Sequence, residues 1–268
     1  MWIKILNCTR KSTYSIDKCH TSDILPRLMK NPIQASKEAI TAKYGLQPVS
    51  NVDIFCEKVS LVPKGAVVEC GVFNGATLFT FAQYCKLTGI DRDIYGFDAF
   101  SGFPIEPHPY DKPLHFEVLR KKGEITQEHY EQALKVLEMR KERHLAKEYW
   151  VTEEKTVFER AKDFLNITLI KGDFKDTLRD FDKPIAILRL DCDLYKSYLT
   201  VLNMLYTKVV SGGVIIFDEY YSLKYPGARI AVQEFFKDKL DQGYFEIHYT
   251  KNKFDESKWF EHWCFTKL

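Results

Sequence analysis

With 268 residues, 39 basic against 37 acidic side chains and 45% apolar content, the chain is long enough for one large α/β sheet carrying an insertion. A formal net charge of +2, with basic residues scattered along the chain, offers no footprint for a nucleic-acid backbone or an anionic membrane, and "RKERHLAKE" (140–148) reads as a solvated helix face. The seven cysteines include no C-x-x-C pair, which argues against a disulfide framework or a zinc site, and no apolar run reaches the roughly 18 residues of a membrane span or forms a signal-peptide core, so a soluble cytoplasmic protein with free thiols is expected.

Residues 1–60 are expected to form an N-terminal helical segment, with "DILPRLMKNPIQASKEAITAKYGL" (23–46) helical after Pro26 and interrupted at Pro32. From 61 to 268 the pattern becomes that of one domain in which short β-branched runs alternate with helical stretches. The predicted strands are AVVECGV (66–72), DIYGFDAF (93–100), ITLIKGD (167–173), AILRLDCD (186–193) and GVIIFDEY (213–220), each apolar enough to be buried on both faces. Helices are predicted at 76–87, 156–164, 197–209 and 226–240. The last strands, "YFEIHYT" (244–250) and "WFEHWCFTKL" (259–268), leave no room for a crossover helix and should pair antiparallel. The fold class is therefore α/β: a Rossmann-like, doubly wound sheet, mostly parallel, with an antiparallel C-terminal strand. More than sixty residues separate the second and third strands. The surplus, about 104–155 and including a helical stretch at 124–148, is a helical insertion expected to act as a lid or substrate wall.

Ligands of open α/β sheets bind beyond the carboxyl ends of the strands. All five strand ends there carry acids: Glu69, Asp98, Asp173, the pair Asp191 and Asp193, and the pair Asp218 and Glu219. Helix capping explains any one of them but not all five. "VVECGVFNGATL" (67–78) has the spacing E-x-G-x-x-x-G, in which Gly71 and Gly75 let backbone approach a ligand closely. Asp98 suits ribose hydroxyls and Asp173 an adenine amine. An acid beside the turn prefers an ammonium to a pyrophosphate, so S-adenosylmethionine fits. The cofactor set is expected to be Glu69, Gly71, Val72, Gly75, Ala76, Thr77, Asp98, Asp173 and Phe174. Asp191, Asp218 and Glu219, at the ends of adjacent strands, form a second group. Three converging carboxylates repel unless a cation sits among them, and an oxygen-only site suits Mg²⁺.

"LRLDCDLYKSYLTVLNMLYTKVVSGGVIIFDEYYSLKYPGARIAVQEFF" (188–236) resembles the signature of the macrocin O-methyltransferase family, and "VVECGVFNGATL", "YGFDAFSGFP" (95–104) and "KGDFKDTL" (171–178) resemble its other blocks in the same order. The resemblance covers about 65–105 and 165–240 and fades in 1–60 and in the insertion. It implies a class I, S-adenosylmethionine-dependent and Mg²⁺-dependent O-methyltransferase acting on a hydroxyl of a sugar or glycosylated metabolite. Asp191 matches the family's first metal ligand. Asp218-Glu219 matches its Asp-Asp pair, with Glu219 a departure one methylene longer.

The chemistry expected is activation of a hydroxyl at the metal and in-line methyl transfer, with Asp191, His108, His115 or His144 as general base. A glycan or small-molecule acceptor is expected, with neither nucleic acid nor membrane as partner, and a homo-oligomer is compatible with the sequence. Two other readings compete. One is an NAD-dependent sugar oxidoreductase, against which stand the missing third glycine and the acid triad. The other is a non-catalytic binding module that keeps the fold.

Overall fold

The structure, a computed structural model, describes residues 5–7, 31–48, 51–104, 106–140, 145, 151–251 and 259–268. In chain order the elements are β1 (Ile5–Asn7), α1 (Pro32–Tyr44), α2 (Val52–Lys58), β2 (Ala66–Cys70), α3 (Ala76–Thr88), β3 (Ile94–Asp98), α4 (Leu114–Lys121), α5 (Gln127–Arg140), α6 (Glu154–Ala161), β4 (Ile167–Lys171), α7 (Phe174–Thr177), β5 (Ile185–Leu190), α8 (Tyr195–Leu205), β6 (Val209–Phe217), α9 (Pro226–Phe236), β7 (Gly243–Lys251) and β8 (Trp259–Lys267). They form one sheet in the order β1-β7-β8-β6-β5-β2-β3-β4. Only β8 runs against the rest, antiparallel to both β6 and β7. This is the doubly wound architecture that the strand pattern predicts, with a further edge strand, β1, pairing parallel to β7.

β2 and β5 are buried along their whole length, which is why they read as uninterrupted apolar runs. Each face of the sheet has its own core. Tyr198, Val201 and Leu202 of α8 and Ala231 and Val232 of α9 cover one face. Phe79 and Phe81 of α3, Ile40 of α1 and Phe55 of α2 cover the other. Residues 32–59 therefore share the core of the sheet, and Phe55 stacks on Phe81 with ring centroids 4.1 Å apart.

Pro32 opens α1 instead of interrupting a helix. A proline in the first turn loses no hydrogen bond, and the Asn31 side chain caps the turn by accepting the Gln34 N–H at 3.1 Å. The predicted helical stretch before it lies outside the described residues. The short helices α2 and α4 fall within the expected helical segment and insertion, whereas α7, with four residues, has too few turns for a periodic signal and is not anticipated. Among the described residues no helix is long and apolar enough to cross a membrane. Cys56, Cys70, Cys85, Cys192 and Cys264 are free, as the odd cysteine count implies, and Cys8 and Cys19 lie outside the described residues.

The insertion has a small core of its own. Phe116 and Leu119 of α4 meet Ala133 of α5 and Leu223 of the segment after β6. His129 fastens it there through Nε2, 2.8 Å from the Ser222 carbonyl. Asp111 fastens it to the start of α8, accepting the Tyr195 N–H at 2.8 Å. Only glycine at 227 permits this, since a Cβ there would lie 2.1 Å from Asp111 Oδ1.

Burial pushes the Asp111 carboxyl up to about 6, against the pull of backbone hydrogen bonds from Tyr195 and His108. An acid whose folded pKa is raised contributes stability that is fully present below its unfolded value near 3.8 and is lost as pH rises through 6. Asp111→Asn keeps the acceptor and removes that loss. It is expected to stabilise the protein by up to about 3 kcal/mol at pH 8, an advantage that shrinks as pH falls through 6 towards 4. Thermal melts across that range check it, and a pH-independent difference would rule out ionisation as the cause.

Candidate active site

The strand order reverses between β2 and β5, and a cleft of about 620 Å³ opens at their carboxyl ends. Backbone hydrogen bonds extend the sheet ladder beyond the strands. The Asp191 N–H reaches the Cys70 carbonyl at 2.9 Å, the Asp218 N–H reaches Leu190 at 2.9 Å, and the Gly71 N–H reaches Phe97 at 2.8 Å. The acids at the strand ends are thus held by the sheet and not by mobile loops. Gly71 has φ +95°, and a Cβ on it would sit 1.9 Å from the Asp191 carbonyl oxygen, so the turn passes directly over the end of β5. Phe73, Phe100 and Asp193 also have positive φ, at 50°, 55° and 60°. Such strain costs on the order of 1–3 kcal/mol per residue and gathers at functional sites.

Of the expected cofactor residues, Gly71, Asp98, Asp173 and Phe174 line the cleft, together with Phe73. Asp98 Oδ2 accepts the N–H groups of Val72 and Phe73, each at 2.7 Å, and Oδ1 accepts that of Phe100 at 2.6 Å. The carboxylate therefore pins the glycine turn and keeps one lone pair, on Oδ1, for a ligand. Asp173 caps α7 through the Lys175 N–H at 3.0 Å. Val72, Gly75, Ala76 and Thr77 stand behind the wall. Val72 and the first residues of α3 are buried, and Gly75, the left-handed N-cap at φ +82°, lies under the ring of Phe79.

Glu69 is a correction. Expected to face an ammonium in the cleft, it is only 1% exposed and turned inward onto Arg189. Arg189, with no exposure at all, is the residue that the sequence reading missed. Its Nη1 binds Glu69 Oε1, and Asp191 Oδ2 at 2.6 Å; its Nη2 binds Asp218 Oδ1 at 2.7 Å and Asn51 Oδ1 at 2.9 Å. Asn51 also donates to Asp218 Oδ1. A cation inside an apolar strand is expensive to bury unless paired, and that cost was the available signal: "LRLDCD" places an arginine between leucines.

The metal set does converge. One carboxylate oxygen from each of Asp191, Asp218 and Glu219 falls within 4.8 Å of the others. The acids are not unpaired, as the sequence suggested, because Arg189 holds one oxygen of both Asp191 and Asp218. Glu219 Oε2 lies 2.8 Å from the Tyr198 hydroxyl, which itself accepts the Glu219 N–H at 3.0 Å. Burial pushes the Asp191 carboxyl up to about 6 although Arg189 opposes it, and burial and the Asp218 charge push Glu219 up. Burial also works against the Asp218 anion, but Arg189, a hydrogen bond from Glu219 and Lys224 outweigh it and hold Asp218 at about 2. Burial also pushes Asp193 up to about 8, with Asp191 and Asp218 adding to it and Lys224 opposing it. The all-oxygen donor set of Asp191, Asp218 and Glu219 fits a hard divalent cation.

Of the proposed histidine bases, His108 and His115 do not line the cleft. His108 caps a turn at Pro109–Asp111 through Nδ1, 3.3 Å from the Tyr110 nitrogen, and stacks on Tyr195 at 4.4 Å. His115 packs edge-on against Tyr110 at 5.1 Å. Both belong to an aromatic cluster outside the cleft wall, which removes them as bases. His144 lies outside the described residues. Lys196, Ser197 and Thr200 of α8 and Lys224 complete the wall opposite the glycine turn, and none of them was singled out from the sequence.

The chain is 29% identical over 202 residues to demethyldecarbamoylnovobiocin O-methyltransferase of Streptomyces niveus, covering 71% of this chain and 66% of that one. It is 26% identical over 177 residues to mycinamicin III 3''-O-methyltransferase of Micromonospora griseorubida, covering 64% and 60%. The matches thus span somewhat less than two thirds of these relatives' length. Among solved structures, the O-methyltransferase NovP superposes with a TM-score of 0.56 at 23% identity over 81% of this chain and 79% of its own. The calicheamicin methyltransferase CalS11 superposes with 0.57 at 19% over 97% and 98%. The sheet is thus that of the class I methyltransferases. The family model described as macrocin-O-methyltransferase (TylF) matches residues 45–251, and the chain belongs to that family.

Proposed function

We propose that the protein transfers a methyl group from S-adenosylmethionine to a hydroxyl of a sugar or glycosylated small molecule, with a divalent cation, Mg²⁺ by its donor chemistry, at Asp191, Asp218 and Glu219. The observation that carries this reading is the convergence of those three carboxylates within 4.8 Å at the cleft that Gly71 and Asp98 also line. The relatives named above act, by their names, on novobiocin- and mycinamicin-type compounds, which supports an acceptor of that class.

The chain's own residues divide the work. Asp98 holds the glycine turn rigid and offers its remaining lone pair on Oδ1 to a ribose hydroxyl. Asp173 and Phe174 provide an acceptor and an apolar face at the far end, where an adenine ring fits. The bound cofactor supplies an electrophilic sulfonium methyl. Asp191, Asp218 and Glu219 would hold the cation, which would supply Lewis-acid activation of the acceptor hydroxyl. Arg189 holds Asp191 and Asp218 in place from below, so no rearrangement is needed at the moment of reaction. With His108 and His115 outside the lining of the cleft, Asp191, which does line it, is the residue assigned to take the hydroxyl proton as the methyl is transferred. Lys196, Ser197, Thr200 and Lys224 line the cleft on the side left for the acceptor, with Pro104 at the start of the insertion also in its wall.

S-adenosylhomocysteine is expected to bind without added metal, since its residues are separate from the triad, and calorimetry on folded protein tests this. Asp98→Ala is expected to weaken binding by roughly 1–3 kcal/mol, because a charged acceptor is lost and the turn amides lose their anchor. Absence of heat with the wild type would refute the cofactor assignment, and unchanged affinity in the variant would remove Asp98 from the site.

A further inference from the structure

Away from the cleft, on the antiparallel pair β7 and β8, three different metal-ligating side chains come together. Glu246 and Cys264 are directly opposed in the register, and His248 follows two residues along β7 on the same side of the sheet. One donor atom of each lies within 4.8 Å of the others. We propose that Glu246, His248 and Cys264 form a second metal site, for a zinc-class divalent cation, that clips β7 to β8.

The donor set decides the class of ion. Sulfur, imidazole nitrogen and carboxylate oxygen together suit Zn²⁺, whereas the oxygen-only cleft suits a hard cation. Three protein ligands leave a fourth position for water. Tetrahedral Zn–S and Zn–O bonds put the two donors about 3.5 Å apart. Cys264 Sγ and Glu246 Oε2 are 3.8 Å apart, so little movement is required. The sequence carries no C-x-x-C or H-x-x-x-H spacing for this site because its ligands lie on two strands and meet only through the register.

A simpler account treats the group as a hydrogen-bonded polar patch. It explains Glu246, which accepts from the Lys58 ammonium at 2.7 Å and the Thr266 hydroxyl at 3.1 Å, and it explains the Cys264 thiol. It does not explain His248, whose Nε2 is buried with no hydrogen-bond partner, a costly state for a ring nitrogen. A metal ion satisfies that nitrogen. Lys58 is the resident cation that an incoming ion displaces from Glu246. The side chains of Lys58 and Glu246 remain 13% and 16% exposed, which leaves a way in.

The test uses the full chain, stripped with chelator and titrated with Co²⁺ followed by Zn²⁺. One equivalent of Co²⁺ is expected to produce a cobalt–thiolate charge-transfer band that Zn²⁺ abolishes. Cys264→Ser should lose the band, and His248→Ala should weaken Zn²⁺ binding at least about 10-fold, the lower end of what disturbing a metal's surroundings costs. Lys58→Met removes the competitor and should tighten binding, while Asp191→Asn, in the cleft, should leave the band intact. The proposal is overturned if folded wild type gives no band, or if the band survives Cys264→Ser. Equal Zn²⁺ affinity in wild type and His248→Ala also overturns it, since the ion would then be adventitious. Should Cys264→Ser not fold, the His248→Ala and Lys58→Met affinities decide alone.

Discussion

Asp191→Asn is expected to leave S-adenosylhomocysteine affinity within about twofold and to lower methyl transfer by about 10³-fold or more. The amide preserves shape but removes one of the two triad charges, Asp191 and Asp218, that line the cleft. Loss of an anionic oxygen weakens a hard cation's hold, and Lewis-acid activation is worth several kcal/mol, each 1.36 of which is tenfold in rate. The same change removes the group that takes the hydroxyl proton, so one substitution strikes two roles. It also disturbs Arg189, which loses its 2.6 Å partner, and for that reason the cofactor titration and a melt belong beside the activity assay. Glu219→Asp, which restores the family's usual pair, should keep activity with an altered metal preference. Turnover by Asp191→Asn at the wild-type rate, or wild-type activity that survives chelation, would show that these acids serve the fold and not the reaction.

Arg189→Met should give the largest loss of stability of any single change near the site, about 3–5 kcal/mol, the usual cost of breaking a buried pair from one side. The side chain fits the space, but Glu69, Asp191 and Asp218 are left facing one another in the interior with no counter-charge. Glu69 already shows how costly this is. Burial pushes its carboxyl up to about 8 even with Arg189 opposing it, and its Oε2 has no partner. Two further outcomes separate this cause from lost packing. The destabilisation should shrink at acid pH, where the orphaned carboxylates take up protons: burial works against all three anions and Arg189 opposes it at each, so removing Arg189 moves their folded pKa values upward, and stability is present below the unfolded values and lost as pH rises. Millimolar Mg²⁺ should raise the melting temperature of Arg189→Met more than that of the wild type, because a cation at Asp191 and Asp218 replaces part of the missing charge. Melts with and without Mg²⁺ across pH check both. A loss that is independent of pH and Mg²⁺ would mean that Arg189 acts by volume alone.

Much of the architecture is legible in local pattern. The apolar runs at 66–72, 186–193 and 213–220 are read correctly because β2, β5 and β6 are central strands whose alternation is erased by burial on both faces. The short gap between β7 and β8 forces an antiparallel pair, and the structure has it. Acids at the ends of successive parallel strands must fall on one edge of the sheet, so Asp98, Asp173, Asp191 and Asp218 arrive in one cleft as expected. What local pattern does not carry is partnership. Glu69 and Asp98 look equivalent in sequence, one acid at each strand end. Glu69 lies within β2, next to Arg189 in the β2–β5 register, and turns inward, whereas Asp98 closes β3 beside the turn.

The sequence by itself determined the fold class and brought Asp98, Asp173, Asp191 and Asp218 to one edge of the sheet, because both depend on strand order and on residues at the strand ends. The tertiary structure alone decided that Arg189 pairs with Asp191 and Asp218 from beneath, that His108 and His115 stack with Tyr110 and Tyr195 instead of lining the cleft, and that Glu246, His248 and Cys264 meet. The physical reason is common to all three. A side chain's partners across a sheet depend on which strands are neighbours and in what register, and a one-residue slip turns every side chain to the other face. Register is settled by the packing of both cores at once, and it is written in no single stretch of the chain.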